Sequence, residues 1–206
     1  LKTVWYSAAR ILGGFFTALT LGTVLGWVAS RFWVVETLLR PITAVIKATP
    51  VASFIILVLL WFSGKNLSVI ISMLMVFPVI YMNVLEGIRS ADEKLLEMAQ
   101  VFRLSVSKKL LYIYLPAVAP FFVSACSVSL GLCWKSGIAA EVIGTPDGSI
   151  GAVFYQTKIF LQTSELLAWT VVVVAVSVAF EKLFMFLLRL VLKKLKMEDV
   201  LNGKRA

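Results

Sequence analysis

The sequence predicts an all-α membrane protein, a helical bundle of about five membrane spans. Of its 206 residues 60% are hydrophobic and only 15% are charged, and the mean hydropathy is +0.95. One soluble core cannot bury so much apolar surface, which excludes an ordinary soluble enzyme. Several apolar stretches reach ~20 residues, the length at which a helix crosses a bilayer. The connections between them are too short to hold a soluble catalytic domain.

Five apolar stretches of spanning length follow one another along the chain. They cover residues 11–29, 47–63, 67–88, 115–140 and 166–192. The first stretch follows Lys2 and Arg10, so a signal peptide is an alternative interpretation, but four more spans come after it. We therefore expect residues 1–206 to form a single transmembrane domain.

The distribution of positive charge predicts the orientation of the bundle, because basic residues in short loops mark the cytoplasmic side. Of the 20 Lys and Arg residues, 14 fall in one set of alternating connections and 4 in the other. The richer set is Arg31, Arg40, Lys47, Arg89, Lys94, Arg103, Lys108, Lys109, Arg189, Lys193, Lys194, Lys196, Lys204 and Arg205; the poorer set is Lys2, Arg10, Lys65 and Lys158. Residues 89–114 and the basic tail 193–206 are thus predicted to be cytoplasmic. Five spans leave residue 1 outside, so a sixth span before residue 1 is expected. The net charge of +9 reflects this asymmetry and not nucleic-acid binding.

The connection between the third and fourth spans, residues 89–114, has the sequence of two short helices; we call it the polar loop. Ser90-Ala91-Asp92-Glu93 is typical of a capping box. Apolar residues then mark one side of a first helix, and Ser105 or Ser107 can cap a second helix that Pro116 closes. Such a hairpin suits docking into a groove on a partner. Alternatively, it is a connector whose apolar side rests on its own bundle.

Residues 97–116, EMAQVFRLSVSKKLLYIYLP, resemble the cytoplasmic loop of permease subunits of ABC importers. The pattern of that loop is Glu-Ala-Ala, three residues, Gly, nine residues, then Ile-x-Leu-Pro. The matching positions are Glu97, Ala99, Ile113, Leu115 and Pro116. Met98 replaces an Ala, and Arg103 replaces the Gly. Since glycine between two helices often supplies a positive φ, Arg103 either adopts that φ at a cost or reshapes the turn.

Further motifs resemble the nitrate, sulfonate and taurine type of importer permease, over about residues 3–190. In order they are RP at 40–41, ATPVA at 48–52, WFSG at 61–64, FP at 77–78 with Asn83 and Gly87, AAEVIG at 139–144 and GSIG at 148–151. The resemblance implies the fold of type I ABC importer permeases, with a cytoplasmic coupling helix in the polar loop.

The resemblance also implies a function and partners. A homodimer of this chain in the cell membrane would form the import pathway for nitrate, a sulfonate, taurine, bicarbonate, or a vitamin or pyrimidine precursor. It would receive the solute from an extracytoplasmic solute-binding protein and would bind two copies of an ATP-binding subunit. ATP and Mg would bind to that partner, because this chain lacks the Gly-x-x-x-x-Gly-Lys-Ser/Thr loop; we expect it to hold no cofactor and to catalyse no reaction. The implied coupling residues are Glu97, Ala99, Arg103, Ile113, Leu115 and Pro116. Glu97 would stabilise the loop or contact the ATPase, Ala99 would allow close approach, and Pro116 would fix the bend into the fourth span.

The fourth span is rich in small residues and is predicted to line the pathway through Ser127, Gly131, Lys135 and Glu141. Lys135 would attract an anionic solute, or would instead lie at the outer boundary, snorkelling or paired across the dimer. Lys135 and Glu141 are six residues apart, on different sides of a helix, so a mutual ion pair is not expected. Residues 144–161 are predicted to form a turn and a short helix outside.

Two other function classes fit the sequence less well. An ion-coupled secondary transporter would need coupling-ion sites and usually an internal repeat, and neither is evident. A membrane enzyme or zinc protein is disfavoured because the chain has no His. Its only cysteines, Cys126 and Cys133, lie about 10 Å apart along one predicted helix, too far for a disulfide.

Overall fold

The computed structural model of the protein describes residues 2–194, and every regular element in that range is helical. The elements are α1 Lys2–Arg31, α2 Trp33–Ala48, α3 Val51–Trp61, α4 Gly64–Arg89, α5 Glu93–Val101, α6 Val106–Lys109, a π-helical segment Leu110–Tyr114, α7 Leu115–Gly144, α8 Ile150–Ile159 and α9 Thr163–Lys194. The predicted all-α class is therefore confirmed. The predicted basic tail falls outside the described residues from position 195 onward.

Four helices are long and apolar enough to cross a membrane: α1, α4, the continuous helix Val106–Gly144, and α9. The shortest, α4, has 26 residues and is about 39 Å long, more than the ~30 Å hydrocarbon core. These helices confirm the predicted spans 11–29, 67–88, 115–140 and 166–192. Each helix extends beyond its predicted ends because the polar residues that flank an apolar stretch continue the helix.

The predicted span 47–63 is wrong as a single helix. Its residues are divided between α2 and α3, whose axes meet at 109°. The break lies at Thr49 and Pro50, since proline has no N–H and disfavours helical backbone in the preceding residue. Thr49 accordingly has extended backbone, with φ −81° and ψ 131°. At 11 residues, α3 is about 16 Å long and cannot cross alone. If the bent pair counts as one span, the bundle has five.

The core of the bundle is a three-helix unit of α1, α4 and α7. Close approach of α1 to α4 depends on small residues: a Cβ added at Gly22 would lie 2.9 Å from the Cβ of Ile80. Large buried side chains then fill the layer between the helices, including Phe15, Ile80 and Leu130. Cys126 and Cys133 are free thiols in this core.

Helix α9 packs on the outside of this unit through its aromatic residues. Phe184 meets Phe15 edge to face, with ring centroids 5.3 Å apart. Of the residues of α9, only Leu192 is buried within the part of the chain that the structure describes. The remaining apolar surface of α9 is left for lipid or another chain.

The two ends of the bundle differ. We call the end that holds Arg89 and the polar loop the loop end. The opposite end holds Gly64, Gly144 and helix α8, which follows a turn as predicted for residues 144–161.

Candidate functional site in the polar loop and along α7

The first helix of the polar loop, α5, begins one residue after Asp92. The Asp92 carboxylate accepts a hydrogen bond of 2.9 Å from the Lys94 N–H, which satisfies one of the free donors at the helix start. The capping box predicted at Ser90 is wrong. Ser90 instead ends α4, and its hydroxyl donates to the Gly87 carbonyl.

Helix α5 rests on the bundle with one side and exposes the other. Ala99 is fully buried against Ala91 and Ile113. On the other side Met98, Val101 and Phe102 are exposed, the last two by more than two thirds. The anchored face agrees with the interpretation of the loop as a connector, whereas docking of the exposed face on a partner stays a prediction. The anchored face fixes the position of α5, and the exposed face is an apolar surface outside the membrane-spanning helices.

The turn after α5 keeps the geometry that glycine would give. Arg103 has a φ of +49°. Its N–H donates to the Gln100 carbonyl at 3.0 Å, and the Leu104 N–H donates to the Ala99 carbonyl at 2.9 Å. These two bonds are the Schellman pattern of a helix C-terminus. Arg103 thus adopts the left-handed backbone, at a cost of about 1–2 kcal/mol for a residue with a Cβ, and the turn is not reshaped.

The second helix of the polar loop is not a separate element, contrary to the prediction that Pro116 closes it. Ser105 precedes α6 without a capping hydrogen bond from its side chain, and the helix continues to Gly144. The Leu115 N–H bonds to the Leu110 carbonyl, five residues back, which forms a π turn just before Pro116. Because proline lacks an N–H, this wider turn accommodates it near the start of α7. The polar loop and α7 therefore share one helix.

The remaining implied coupling residues lie at different depths. Glu97 is exposed, and within residues 2–194 its side chain makes no hydrogen bond or ion pair. It is the fifth residue of α5, beyond the first turn where a carboxylate stabilises a helix start, and Asp92 and Glu93 occupy that place. Ile113 is buried below α5, whereas Leu115 and Pro116 are partly buried at the base of α7. Contact with a partner is the role left open to Glu97.

Three of the four predicted pathway residues share one side of α7. Ser127, Gly131 and Lys135 follow at intervals of four residues, which keeps them within about 80° around the helix. Ser124 and Val128 complete this side, which we call the open face of α7. Lys135 is exposed, and a Cβ at Gly131 would meet nothing within 4 Å among the described residues. At the edge of the face, the Ser127 hydroxyl donates to Glu181 Oε1 of α9 at 3.1 Å.

Glu141 does not lie on the open face. Its side chain is fully buried at the opposite end, where it accepts hydrogen bonds from the Ser7 hydroxyl at 2.6 Å and the Gly151 N–H at 3.3 Å. The Ser7 oxygen in turn accepts the Ile150 N–H at 2.9 Å. The carboxyl group thus caps the N-terminus of α8 and joins α1, α7 and α8. Helix α7 runs unbroken through Gly137, so Glu141 and Lys135 point to different sides, as predicted.

Sequence reasoning missed the contribution of α2, which it treated as a loop. The Glu36 carboxylate forms a salt bridge of 2.5 Å with the Arg89 guanidinium and so fixes α2 to the loop end of α4. The spacing of Glu36, Arg40 and Lys47, four and then seven residues apart, could have indicated a polar stripe on one helix face.

Comparison with known proteins places this architecture in a family. Residues 18–197 match the family described as "Binding-protein-dependent transport system inner membrane component". A permease protein of Bacillus subtilis (strain 168), named for aliphatic sulfonates transport, is 29% identical over 173 residues, covering 83% of this chain and 62% of that protein. The taurine transport system permease protein of Escherichia coli (strain K12) is 26% identical over 184 residues, covering 87% of this chain and 66% of that protein.

A solved structure shares the fold. It is the crystal structure of an amino acid ABC transporter with histidines, which superposes with a TM-score of 0.63 and 15% identity over 91% of each chain. The chain spans less than two thirds of the length of the two permease relatives. The resemblance seen in residues 97–116 is confirmed, together with the predicted permease fold. The chain is a multi-pass membrane protein that belongs to the family of inner membrane components of binding-protein-dependent transport systems.

Proposed function

We propose that this chain is the permease subunit of an ABC importer. It forms the path by which a small solute enters the cell, and a separate subunit supplies the energy by hydrolysing ATP. Family membership and the names of the relatives support this function. The observation that carries it is the polar loop, where buried Ala99 anchors a helix whose Met98, Val101 and Phe102 face outward.

We infer that force is transmitted through the contacts between the polar loop and the bundle. The ATP-binding subunit docks on the exposed side of α5, and its closure on ATP displaces α5. Ala99 and Ile113 pass this displacement to the helix Val106–Gly144, since they pack α5 directly on it. Movement of α7 then shifts the open face between inward-facing and outward-facing arrangements of the bundle. The chain itself performs no chemical step.

The other partners occupy the remaining surfaces. A second copy of the chain faces the first across the open face of α7, so that the two copies enclose the path. The loop end is cytoplasmic, which the excess of basic residues there supports. The solute-binding protein docks at the opposite end, where Gln156 and Lys158 of α8 are exposed. The relatives named for sulfonate and taurine transport favour a solute of that kind.

A pair of matched substitutions tests the docking surface. Phe102 and Phe160 each follow the last residue of a short helix, each is 71% exposed, and the next residue of each has a positive φ. They lie at opposite ends of the bundle. Phe102→Glu should strongly reduce recovery of the ATP-binding subunit with a tagged permease, because moving the glutamate carboxylate from water into an apolar groove costs free energy. Phe160→Glu should leave that recovery unchanged.

Uptake measured in proteoliposomes that contain the whole complex provides the second readout. Phe102→Glu should abolish ATP-dependent uptake while the protein remains inserted and of normal thermal stability. Equal loss of the ATP-binding subunit from both variants, or normal coupled uptake by Phe102→Glu, would contradict the proposed role of the polar loop.

A further inference from the structure

A cationic groove between α2 and α4 adjoins an exposed apolar face of α2. The cavity volume of the groove is about 420 Å³, and its lining residues are Arg40, Thr43, Ala44, Lys47, Ala48 and Met82. We infer that the groove binds the headgroup of an anionic phospholipid from the leaflet at the loop end, with the acyl chains lying along α2. This lipid site adds to the proposed function and does not depend on the solute or on the direction of transport.

The positive charges of the groove have no carboxylate partner. Arg40 and Lys47 are exposed on one side of α2, and neither forms an ion pair in the described part of the chain. The Lys47 Nζ contacts the Met82 Sδ at 3.5 Å, and a thioether sulfur is only a weak acceptor. Two cations thus line one groove without a counter-ion.

The acids nearest to the groove belong to a neighbouring cation. Glu36, on the same side of α2, forms the salt bridge with Arg89. The exposed acid Glu86 lies one turn along α4 from Met82, towards the loop end, and its charge also acts on Arg89. Both carboxylates therefore lie at the loop-end side of the groove, and the groove itself keeps its positive charge.

The groove lies at the depth where a lipid headgroup meets its acyl chains. Helix α4, at 26 residues, exceeds the ~30 Å hydrocarbon core by about 9 Å, so Arg89 at its end lies about 4–5 Å outside that core if both ends share the excess. Met82 is seven residues earlier, so the Lys47 ammonium that contacts it lies about 6 Å inside the core. A charge at that depth is costly unless it meets water or an opposite charge, and a lysine reaches outward for either.

The start of α2 marks the membrane boundary at the same end. Phe32 and Trp33 are both more than half exposed, and aromatic residues of this kind concentrate at the interface. From there α2 descends past Glu36, at the level of Arg89, to Lys47, at the level of Met82. Arg40 is one turn after Glu36, so it lies near the boundary, where lipid phosphates are found.

An apolar face beside the groove can hold the acyl chains. Four apolar residues of α2 follow at intervals of four, four and three positions, which keeps them within about 80° around the helix, and each is half exposed or more: Val34, Leu38, Ile42 and Val45. The exposed small residues Ala44 and Ala48 lie between this face and the two cations. A phospholipid uses both surfaces at once, whereas a free anion uses only the groove.

Charge favours a lipid over a second copy of the chain as the occupant. Copies related by a two-fold axis along the membrane normal present the same surface at the same depth. Two such grooves would bring Arg40 and Lys47 of one copy against the same cations of the other, which is repulsive. A lipid phosphate supplies the missing negative charge.

The donors of the groove suit a phosphodiester. The Arg40 guanidinium presents paired donors to its two free oxygens, and the Lys47 ammonium adds a compact charge. The Thr43 hydroxyl already donates to the backbone of α2. The cavity has room for the phosphate together with several waters, at about 30 Å³ each.

Titration with two lipids of identical acyl chains tests the site. The purified complex in detergent is titrated with dioleoylphosphatidylglycerol or dioleoylphosphatidylcholine, and native mass spectrometry gives the Kd for each. The wild type should prefer the anionic lipid. Arg40→Gln and Lys47→Gln should each lower this preference roughly fivefold, and Lys47→Arg should retain it. The matched control Lys65→Gln, an exposed lysine of α4 at the opposite end, should change it less than twofold.

Crosslinking locates the bound lipid. Phosphatidylglycerol with a diazirine near the glycerol end of one acyl chain should label residues 38–48 or Met82, and millimolar inorganic phosphate should not prevent this. A preference unchanged by both neutralisations, or labelling confined to other helices, would overturn the lipid site. Displacement by inorganic phosphate would do so as well, because the groove would then hold a free anion. Rapid disulfide formation between two Ala44→Cys chains would instead assign the groove to a second copy; the native cysteines do not interfere because both are fully buried.

Discussion

Replacing Gly151 by alanine should loosen the opposite end of the bundle, while the same change at Gly131 should not. Gly151 is the second residue of α8 and lies directly against α7. A Cβ there would overlap the backbone carbon and Cβ of Glu141 and the backbone nitrogen of Val142. These atoms belong to the body of a helix and cannot rotate away. The start of α8 must therefore move outward.

The energetic cost of that movement can be worked out from the bonds it breaks. The Gly151 N–H reaches Glu141 at 3.3 Å and the Ile150 N–H reaches Ser7 at 2.9 Å, both in buried surroundings. Each buried donor left without a partner costs about 1–3 kcal/mol, and overpacking costs a further 1–3 kcal/mol. The better helix propensity of alanine returns about 0.5–1 kcal/mol. Two lost donors and the overpacking, less the gain in helix propensity, give a net loss of about 2–8 kcal/mol, a decrease in Tm on the order of 10 °C.

The buried cysteines provide the assay. Cys126 and Cys133 lie in the core and are fully buried, so a maleimide dye that fluoresces on reaction reports unfolding as the protein is heated. Gly131 is the matched control, because an added Cβ there meets no atom within 4 Å in the described part of the chain. Gly131→Ala should keep or slightly raise the Tm, since alanine favours the helix. A Gly151→Ala protein that melts within 2 °C of the wild type, or an equal decrease for Gly131→Ala, would refute the packing described for α7 and α8.

Further predictions concern the polar loop and α2. Arg103→Gly should raise the Tm slightly and the free energy of unfolding by up to about 1 kcal/mol, because the strain of the positive φ that is relieved exceeds the added freedom of the unfolded chain. Thermal melts check this against Arg103→Ala, which keeps the strain. Ala99→Leu should separate α5 from Ile113 and weaken coupling more than Met98→Leu does. The number of ATP molecules hydrolysed per solute imported should therefore rise more for Ala99→Leu. Glu97→Lys should weaken recovery of the ATP-binding subunit without changing the Tm, since Glu97 has no partner within residues 2–194. Arg89→Gln should lower the free energy of unfolding by no more than ~1 kcal/mol, because the side chains of Arg89 and Glu36 are 47% and 24% exposed and water screens their salt bridge. Thermal melts at high salt should show a smaller effect of the substitution.

The spans and the polar loop were predictable because their signals are local. Long apolar stretches predict helices that cross a membrane, and an apolar residue every three or four positions predicts α5. The left-handed residue at Arg103 could also be anticipated, since the family pattern has glycine there. The start of α5 was misplaced by two residues because both Ser90 and Asp92 are good caps, and only the end of α4 decides between them.

The break in the second span and the role of Glu141 depend on information that a hydropathy window averages out. Pro50 is visible in the sequence, but apolar residues on both sides of it give the same mean hydropathy as a straight span. Glu141 was assigned to the pathway because a charge inside a span suggests function. Its actual partners, Ser7 and the N-terminus of α8, are 134 and about ten residues away in the chain. No periodicity within α7 indicates them.

The continuous helix from Val106 to Gly144 gives the proposed coupling its physical basis. At 39 residues it is about 58 Å long, so one continuous helix joins the base of α5 to the Glu141 cap of α8. A helix of this length transmits a displacement only as well as its softest turn allows, and that turn is the π segment Leu110–Tyr114 beside Pro116. Above this turn, α7 is packed against α1 and α4 on one side and is open on the other, so a push at the loop end moves the open face in preference to the core. The Glu141 cap then fixes the far end of α7, and the change in tilt between these two points is the motion that the solute path would experience.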